Sequence, residues 1–402
     1  MRELPAVCVF IECYYPQLGG TTTHARLLAR DLSRRGMPHF VITRQLTPDT
    51  PRLEQVDGLR VVRVKPTGEG SIKKWGMLLY SLPALFRNRR DFDIIYVPGF
   101  RVIGMLAVVF AWMFRKKCVL RGVSCGEMSG AFFDDTAAKL PIGLRQLFKG
   151  FVKLRNVILR RADAIVAISQ DLADELKQCG VKDSRVVRIP NAVDMGVYYP
   201  AAAGGDKKAL RRKLGLPQDG PVVVYTGRLV RYKGLLPLLE AWIKVLKVQG
   251  SQPLHLVLVG SGSHDVHNCD RELRDFVKGN ALSDSVTFTG DVNGVAPYLQ
   301  AADIFAFPTE NEAFGISLIE AMACGLPSVS TDVGGVKDIV RHESNALVFE
   351  AGDADALAEA LGRLIESEDL RRELGAGALE TVRQKFSTEK ISAQYFELFT
   401  SV

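Results

Sequence analysis

The 402-residue chain has no Cys-x-x-Cys pair; its seven cysteines are odd in number, and Cys8 and Cys118 fall inside apolar runs. That usage speaks against a disulfide framework and predicts buried free thiols in a reducing compartment. No apolar run is long enough to cross a bilayer unaided. The longest, residues 102–114, ends in Arg115-Lys116-Lys117 and predicts a buried helix between two strands. No cleavage site precedes the first apolar run at residues 4–11, so the expected location is cytoplasmic. Low-complexity tracts, short-period repeats and a disordered tail are also missing. His264 and His267 stand in a polar loop without carboxylates at ligand spacing, and no metal site is expected.

What is present is a composition of 47% hydrophobic and 24% charged residues, which places the chain among folded globular proteins. Its length predicts two domains. The net charge of +7 is unevenly divided: residues 1–190 hold 31 Lys and Arg against 17 Asp and Glu, the remainder 21 against 28. Such asymmetry points the first half at something anionic, with a solvated basic surface as the alternative. Nucleic acid is not the expected partner, because no DNA- or RNA-binding motif accompanies the charge.

Short β-rich runs alternate with helical patterns from end to end. Strands are expected at 6–11, 40–43, 61–64, 94–97, 118–121, 164–169 and 186–189, then at 222–226, 255–259, 286–289, 304–307, 328–330 and 346–349. Between the first two, Ala25, Leu28 and Leu32 recur at helical spacing and the pattern stops at Gly36. Alternation of this kind predicts an α/β fold of doubly wound parallel sheets covered on both faces. It pauses at 190–194 and 200–205. The expected domains are a Rossmann-like unit at 1–190 and another at 191–386, with a cleft between them as the natural place for a large ligand.

The most informative stretch is Glu312-Ala313-Phe314-Gly315-Ile316-Ser317-Leu318-Ile319-Glu320. An apolar strand precedes it and a helical stretch follows. One carboxylate therefore belongs to the loop leaving a strand, the other to the first turns of the next helix. Loops at the carboxyl ends of parallel strands are where ligands bind, and a helix start offers free N–H groups to phosphate. Glu320 lies among Ile, Leu, Ala and Met, where an acid is costly unless paired. A ribose diol would supply two donors; an ion pair in the core is the alternative. Upstream, Gly227-Arg228-Leu229-Val230-Arg231-Tyr232-Lys233-Gly234 follows a strand of valines. Arg228 and Lys233 in that turn suit a diphosphate whose negative charge grows as a sugar–phosphate bond breaks. Arg231 is close enough in sequence to substitute. Gly19-Gly20 follows the first strand and lets backbone approach a ligand, or serves as a plain turn. Gly260-Ser261-Gly262 lacks the third glycine of a dinucleotide fingerprint, Asp265 standing in its place. Asp91-Phe92-Asp93 looks like a metal-binding Asp-x-Asp, but it leads into a strand and belongs at the amino end, away from ligands.

These motifs, with Pro16-Gln17-Leu18-Gly19-Gly20, Asn191-Ala192-Val193-Asp194 and Gly334-Gly335, resemble those of glycosyltransferase family 4, the retaining glycosyl transferases of group 1 with the GT-B architecture. The resemblance spans nearly the whole chain. It implies that Arg228 and Lys233 bind the diphosphate of a UDP- or GDP-sugar, that Glu320 holds the ribose, and that Glu312 holds the transferred sugar. It further implies that backbone at Gly20, Phe314, Gly315 and Ile316 touches phosphate or sugar, and that residues 387–402 return to the first domain. No metal or other cofactor is implied. Gly262, Asp291 and Val292 are placed near the base. Many members carry a histidine after a middle strand of the first domain; residues 119–127 here have none, which leaves Arg121, Ser124 and Glu127 as candidates for the acceptor side.

The function expected is retaining transfer of a hexose-type sugar to an acceptor hydroxyl in cell-surface polysaccharide or glycolipid synthesis. The alternatives are a nucleotide-sugar epimerase or hydrolase, or a non-catalytic nucleotide-sugar sensor. Residues 139–161 carry Lys139, Arg145, Lys149, Lys153, Arg155, Arg160 and Arg161 among apolar residues and no acid, and 70–90 form a second basic, apolar patch. Basic amphipathic segments suit an anionic membrane surface, so a saccharide or lipid-linked acceptor and peripheral membrane association are expected; helices with basic outer faces packed on the sheet are the alternative.

Overall fold

Runs of Val, Ile and Leu that are buried on both faces cannot alternate with polar residues, and here they build two mainly parallel sheets. The computed structural model describes residues 3–16, 19–68, 70–131, 142–201, 205–250, 253–263 and 265–402. The chain divides into two compact units, Met1–Asn191 with Thr388–Val402, and Ala192–Ser387.

The first unit contains β1 (Val7–Phe10), β2 (His39–Arg44), β3 (Leu53–Val56), β4 (Leu59–Val64), β5 (Ile94–Pro98), β6 (Lys117–Arg121), β7 (Ala164–Ala167) and β8 (Val186–Arg188). They lie in the order β3-β4-β2-β1-β5-β6-β7-β8. The described helices are α1 (Gly20–Arg34), α2 (Ser71–Arg87), α3 (Gly104–Met113), α4 (Ile142–Leu159) and α5 (Gln170–Gln178). Two features depart from expectation. β3 pairs antiparallel with β4 through a tight Asp57-Gly58 turn, both residues at positive φ, so one edge of the sheet is a hairpin. The apolar run expected as a buried helix is buried on one face only: Ala107, Val108 and Phe110 are inside, while Trp112 and Met113 are 73% and 60% exposed.

The second unit contains β9 (Val222–Thr226), β10 (His255–Val259), β11 (Val286–Gly290), β12 (Ile304–Phe307), β13 (Ser328–Ser330) and β14 (Leu347–Val348), in the order β11-β10-β9-β12-β13-β14, all parallel. Around them lie α6 (Gly205–Leu214), α7 (Leu235–Gln249), α8 (Asp270–Gly279), α9 (Ala296–Ala301), α10 (Ile316–Ala323), α11 (Ala354–Glu366) and α12 (Glu368–Lys385). The fully buried Trp242 and Leu239 of α7 and Leu361 of α11 belong to one apolar cluster with Val223 and Leu256. Each such side chain stabilises the unit by about 1.5–3 kcal/mol. The closing helix, α13 (Thr388–Ser401), belongs to the first unit and lies against α1, with Ile391, Tyr395 and Phe399 buried.

The fold is the expected pair of doubly wound α/β units. In each sheet the chain winds outward in both directions from one strand, β1 in the first and β9 in the second. The carboxyl ends beside β1/β5 and β9/β12 are therefore the topological switch points, where open α/β sheets leave a crevice for ligands.

Candidate active site

The β9/β12 switch point is built by two loops that touch. Tyr225 of β9 donates its hydroxyl to the Arg228 carbonyl at 2.9 Å, and the fully buried Leu229 pins the middle of the first loop. A single 3-10 turn over Arg231–Lys233 is stopped by Gly234 at φ 65°. A Cβ there would sit 1.9 Å from the Pro308 carbonyl oxygen, so only glycine lets the β9 and β12 loops meet. The Glu310 N–H donates to the Tyr232 carbonyl at 2.9 Å across the same seam, and the Glu310 side chain is exposed.

That seam brings Lys233 and Glu312 together. Lys233 Nζ lies 2.5 Å from Glu312 Oε2, with the two side chains 11% and 18% exposed. Glu312 is held further by the Ala313 N–H, 3.1 Å from Oε1, while its carbonyl accepts from the Gly335 N–H at 3.0 Å. Arg228 is 60% exposed and donates to Asp265 and, at 2.8 Å, to the Tyr232 hydroxyl. Arg231, the possible substitute, is instead engaged with Glu272 at 2.9 Å.

Helix α10 starts at this point. Phe314 is buried with its ring edge-on to Phe386 at 5.7 Å, and Gly315 caps the helix at φ 109°. The first N–H groups of the helix, beginning at Ile316, have no carbonyl one turn back to pair with. Glu320 is four residues after Ile316 and so shares its face. Burial pushes the Glu320 carboxyl up to about 7, and a hydrogen bond with the Tyr198 hydroxyl pulls it partly back. Burial and the neighbouring Glu320 push the Tyr198 hydroxyl up in turn. Glu320 keeps a partly open surface within this dense surround. Among the described residues it makes no ion pair, so the core ion pair weighed above is replaced by a tyrosine.

The loops after β10 and β11 are joined by Ser261, whose hydroxyl donates to both Asp291 oxygens at 2.8 and 2.9 Å. Gly262 is buried, and a Cβ there would meet Asn268 Oδ1 at 2.1 Å and the Leu229 carbonyl oxygen at 2.4 Å. Its glycine is thus explained by packing against the Arg228 loop. The Val292 carbonyl accepts from the Gly294 N–H at 3.0 Å in the turn beyond β11.

In the first unit, Gly20 opens α1 beside the β1/β5 switch point and is exposed. Gln17 and Leu18 of the glycine motif lie outside the described residues. Arg121 ends β6, is 2% exposed and donates to Asn191 Oδ1. Ser124 and Glu127 join one network: the wholly buried Glu127 accepts from Arg101 and from Ser124 Oγ at 3.2 Å, and Arg101 Nη2 donates to Ser124 Oγ at 2.7 Å. His24 is buried on α1, 2.8 Å from the Tyr96 hydroxyl; burial and then Arg121 hold its pKa well below the usual value. Asp93 accepts from the Ala6 N–H at 3.0 Å, at the amino end of β1, and Asp91 pairs with Arg60 at 3.0 Å. Lys139, His264 and the Lys149 side chain lie outside the described residues. Arg155 is buried and donates to the Glu127 carbonyl, so it stabilises that loop and is not part of a basic outer face.

Sequence reasoning missed Tyr198, Asp265 and Arg101. Each is far along the chain from the residue it serves, and none stands in a motif.

Comparison with known proteins follows the same division. The description "Glycosyl transferases group 1" matches residues 220–367, and "Glycosyl transferase 4-like domain" matches residues 19–192. N-acetyl-alpha-D-glucosaminyl L-malate synthase of Bacillus anthracis is 27% identical over 395 residues, 98% of this chain and 96% of that protein. A D-inositol 3-phosphate glycosyltransferase of Xylanimonas cellulosilytica is 30% identical over 396 residues, 95% of this chain and 91% of that protein. Among solved structures, sucrose-phosphate synthase from Thermosynechococcus elongatus is similar at a TM-score of 0.76 and 25% identity, over 98% of both chains. Anabaena HepE, solved in complex with UDP and glucose, shares the fold at a TM-score of 0.77 and 20% identity over 100% of both chains. The chain belongs to the group 1 glycosyl transferases of family 4, has the GT-B fold, and is a glycosyltransferase.

Proposed function

We propose that the enzyme moves a hexose-type sugar from a nucleotide-diphosphate sugar, a UDP- or GDP-sugar, to an acceptor hydroxyl with retention at the anomeric carbon. The observation that carries this reading is the Lys233–Glu312 pair, 2.5 Å apart at the β9/β12 switch point next to the start of α10. An ammonium has three donors, so Lys233 keeps Glu312 while donating to a phosphate oxygen. Arg228 offers a planar fork to the same diphosphate, and the N–H groups of Phe314 and Gly315 just before α10 and of Ile316 at its start add donors. Glu312 accepts hydroxyls of the sugar, and Glu320 those of the ribose. In this reading the Gly262, Asp291 and Val292 turns are assigned to the base, and the Gly20 backbone is assigned a phosphate or sugar contact. The bond from the anomeric carbon to the diphosphate oxygen breaks, the acceptor oxygen bonds on the same face, and its proton passes to the departing diphosphate. Side-chain cations supply the charge neutralisation, so the proposed reaction uses no metal ion.

The acceptor proposed is a saccharide or lipid-linked saccharide at a membrane face, in cell-surface polysaccharide or glycolipid synthesis, with the first unit, including Arg121, Ser124 and Glu127, on the acceptor side. A second reading, a small acidic acceptor, is favoured by two relatives whose names include L-malate and D-inositol 3-phosphate.

Product analysis over a panel of nucleotide sugars, with and without acceptor, tests the reading. A sugar–acceptor product with retained configuration by proton NMR supports it. Acceptor-independent release of free nucleotide or an epimerised donor favours the hydrolase or epimerase, and binding without turnover favours a sensor. Arg228→Ala and Lys233→Ala should each lower kcat about 10²–10³-fold, as loss of one fixed group facing a developing anion does. Near-wild-type turnover in both would remove the diphosphate role.

A further inference from the structure

Helices α2, α3 and α4 follow β4, β5 and β6, and right-handed crossovers put all three on one face of the first sheet, with the acidic α5 after β7 beyond them at its edge. They adjoin: Trp75 of α2 meets Phe151 of α4 edge-on at 5.8 Å, Phe86 meets Phe114 at 5.7 Å, and α3 packs on α4. The segments 71–90, 101–117 and 142–161 that form this layer contain fifteen Lys and Arg and no Asp or Glu. The rest of residues 1–190 holds 16 basic and 17 acidic residues, so this layer carries the whole basic excess of the first half.

The same layer is apolar on the outside. Ten of the sixteen large apolar side chains exposed among the described residues lie in it. They include Leu79 at 73%, Trp112 at 73%, Leu147 at 71% and Leu154 at 58%. Between α2 and α3 runs an apolar groove of about 350 Å³, lined by Leu82, Phe86, Leu106, Val109 and Met113. The same three segments present Arg87, Arg90, Arg115, Lys153 and Arg161, all exposed and none paired with a carboxylate among the described residues. Among the described residues no helix is long and apolar enough to cross a membrane.

We propose that the α2–α3–α4 face docks on an anionic phospholipid bilayer, with Trp112, Met113 and Phe86 entering the acyl boundary and the surrounding cations meeting lipid phosphates. Apolar groups rimmed by Lys and Arg without acids fit an interfacial surface. A second copy is the poorer occupant, since a twofold contact would set this basic face against itself. This deepens the membrane-acceptor reading by naming the surface, and it is read without turnover.

The chain has three tryptophans, of which Trp242 is fully buried. Emission of the full-length protein is recorded with vesicles of phosphatidylcholine alone, with added phosphatidylglycerol, and with brominated lipids. Binding to the anionic vesicles, quenching by bromine, and at least tenfold weaker binding to phosphatidylcholine alone are expected. Trp112→Ser with Met113→Ser, and Arg87→Glu with Arg90→Glu, should each weaken vesicle binding at least tenfold while thermal unfolding and calorimetric donor affinity stay unchanged. No binding of the wild type to anionic vesicles overturns the proposal, as does wild-type binding by both variants. A concentration-dependent dimer that Trp112→Ser with Met113→Ser abolishes, without vesicle binding, gives the face to a second copy. Loss of donor affinity in the wild type would instead count against the glycosyl-transfer reading.

Discussion

Glu320 sits on a helix face of Ile, Leu, Ala and Met, and an ionised carboxyl there is costly unless its oxygens are hydrogen-bonded. Burial lifts it from 4.5 to about 7 against the pull of Tyr198. A carboxyl raised in the folded state contributes stability that is fully present below about 4.5 and lost as pH climbs through about 7. Glu320→Gln should therefore match the wild type in denaturant unfolding at about pH 4 and below, and exceed it above pH 7 by up to about 3 kcal/mol. A stability difference that does not change with pH would refute the cause assigned to the shift. The proposed ribose contact adds a second readout. Two hydroxyl donors favour the carboxylate, so nucleotide binding near pH 7 should expel a proton. Calorimetry in buffers of different ionisation heat would show that proton for the wild type and not for Glu320→Gln.

The loop after β9 has its shape because Gly234 lets it touch the Pro308 carbonyl. Gly234→Ala would force a Cβ to 1.9 Å from that oxygen at a φ of 65°. The cost should be about 2–4 kcal/mol, combining overpacking with left-handed strain. Gly36→Ala has a similar φ of 71° but nothing within 4 Å, and should cost only the strain, about 1–2 kcal/mol. Equal urea midpoints for the two variants would show that the seam is not tight. Elements of this kind were readable in part. Strand positions followed from buried β-branched runs; the two switch points did not, because they depend on the order of strands within each sheet. The β3–β4 hairpin was missed because Leu53-Glu54-Gln55-Val56 is too polar to look like a strand, although its Asp57-Gly58 turn is a hairpin signal. The exposed end of α3 was missed because a run of uniformly apolar residues gives no period by which to tell its outer face.

Across the whole chain, residues with local motifs were legible: Glu312, Arg228, Lys233 and Glu320 are found at strand ends and a helix start, as their spacing predicts. Their partners were not. Asp265 reaches Arg228 across 37 positions, and Tyr198 reaches Glu320 from near the start of its unit. Only folding brings such pairs together, and one sequence carries no trace of it. The charge asymmetry was plain in the composition, but its confinement to one layer of three helices required the sheet order. The central claim is that basic side chains at the β9/β12 switch point neutralise a pyrophosphoryl group. It is tested most directly by the calorimetric affinities of a nucleoside diphosphate and its monophosphate for the wild type and for Arg228→Ala with Lys233→Ala. The wild type should favour the diphosphate by about 10–100-fold, the worth of one or two charge-assisted hydrogen bonds, and the double variant should lose nearly all of that preference. An undiminished preference in a folded double variant would contradict the assignment.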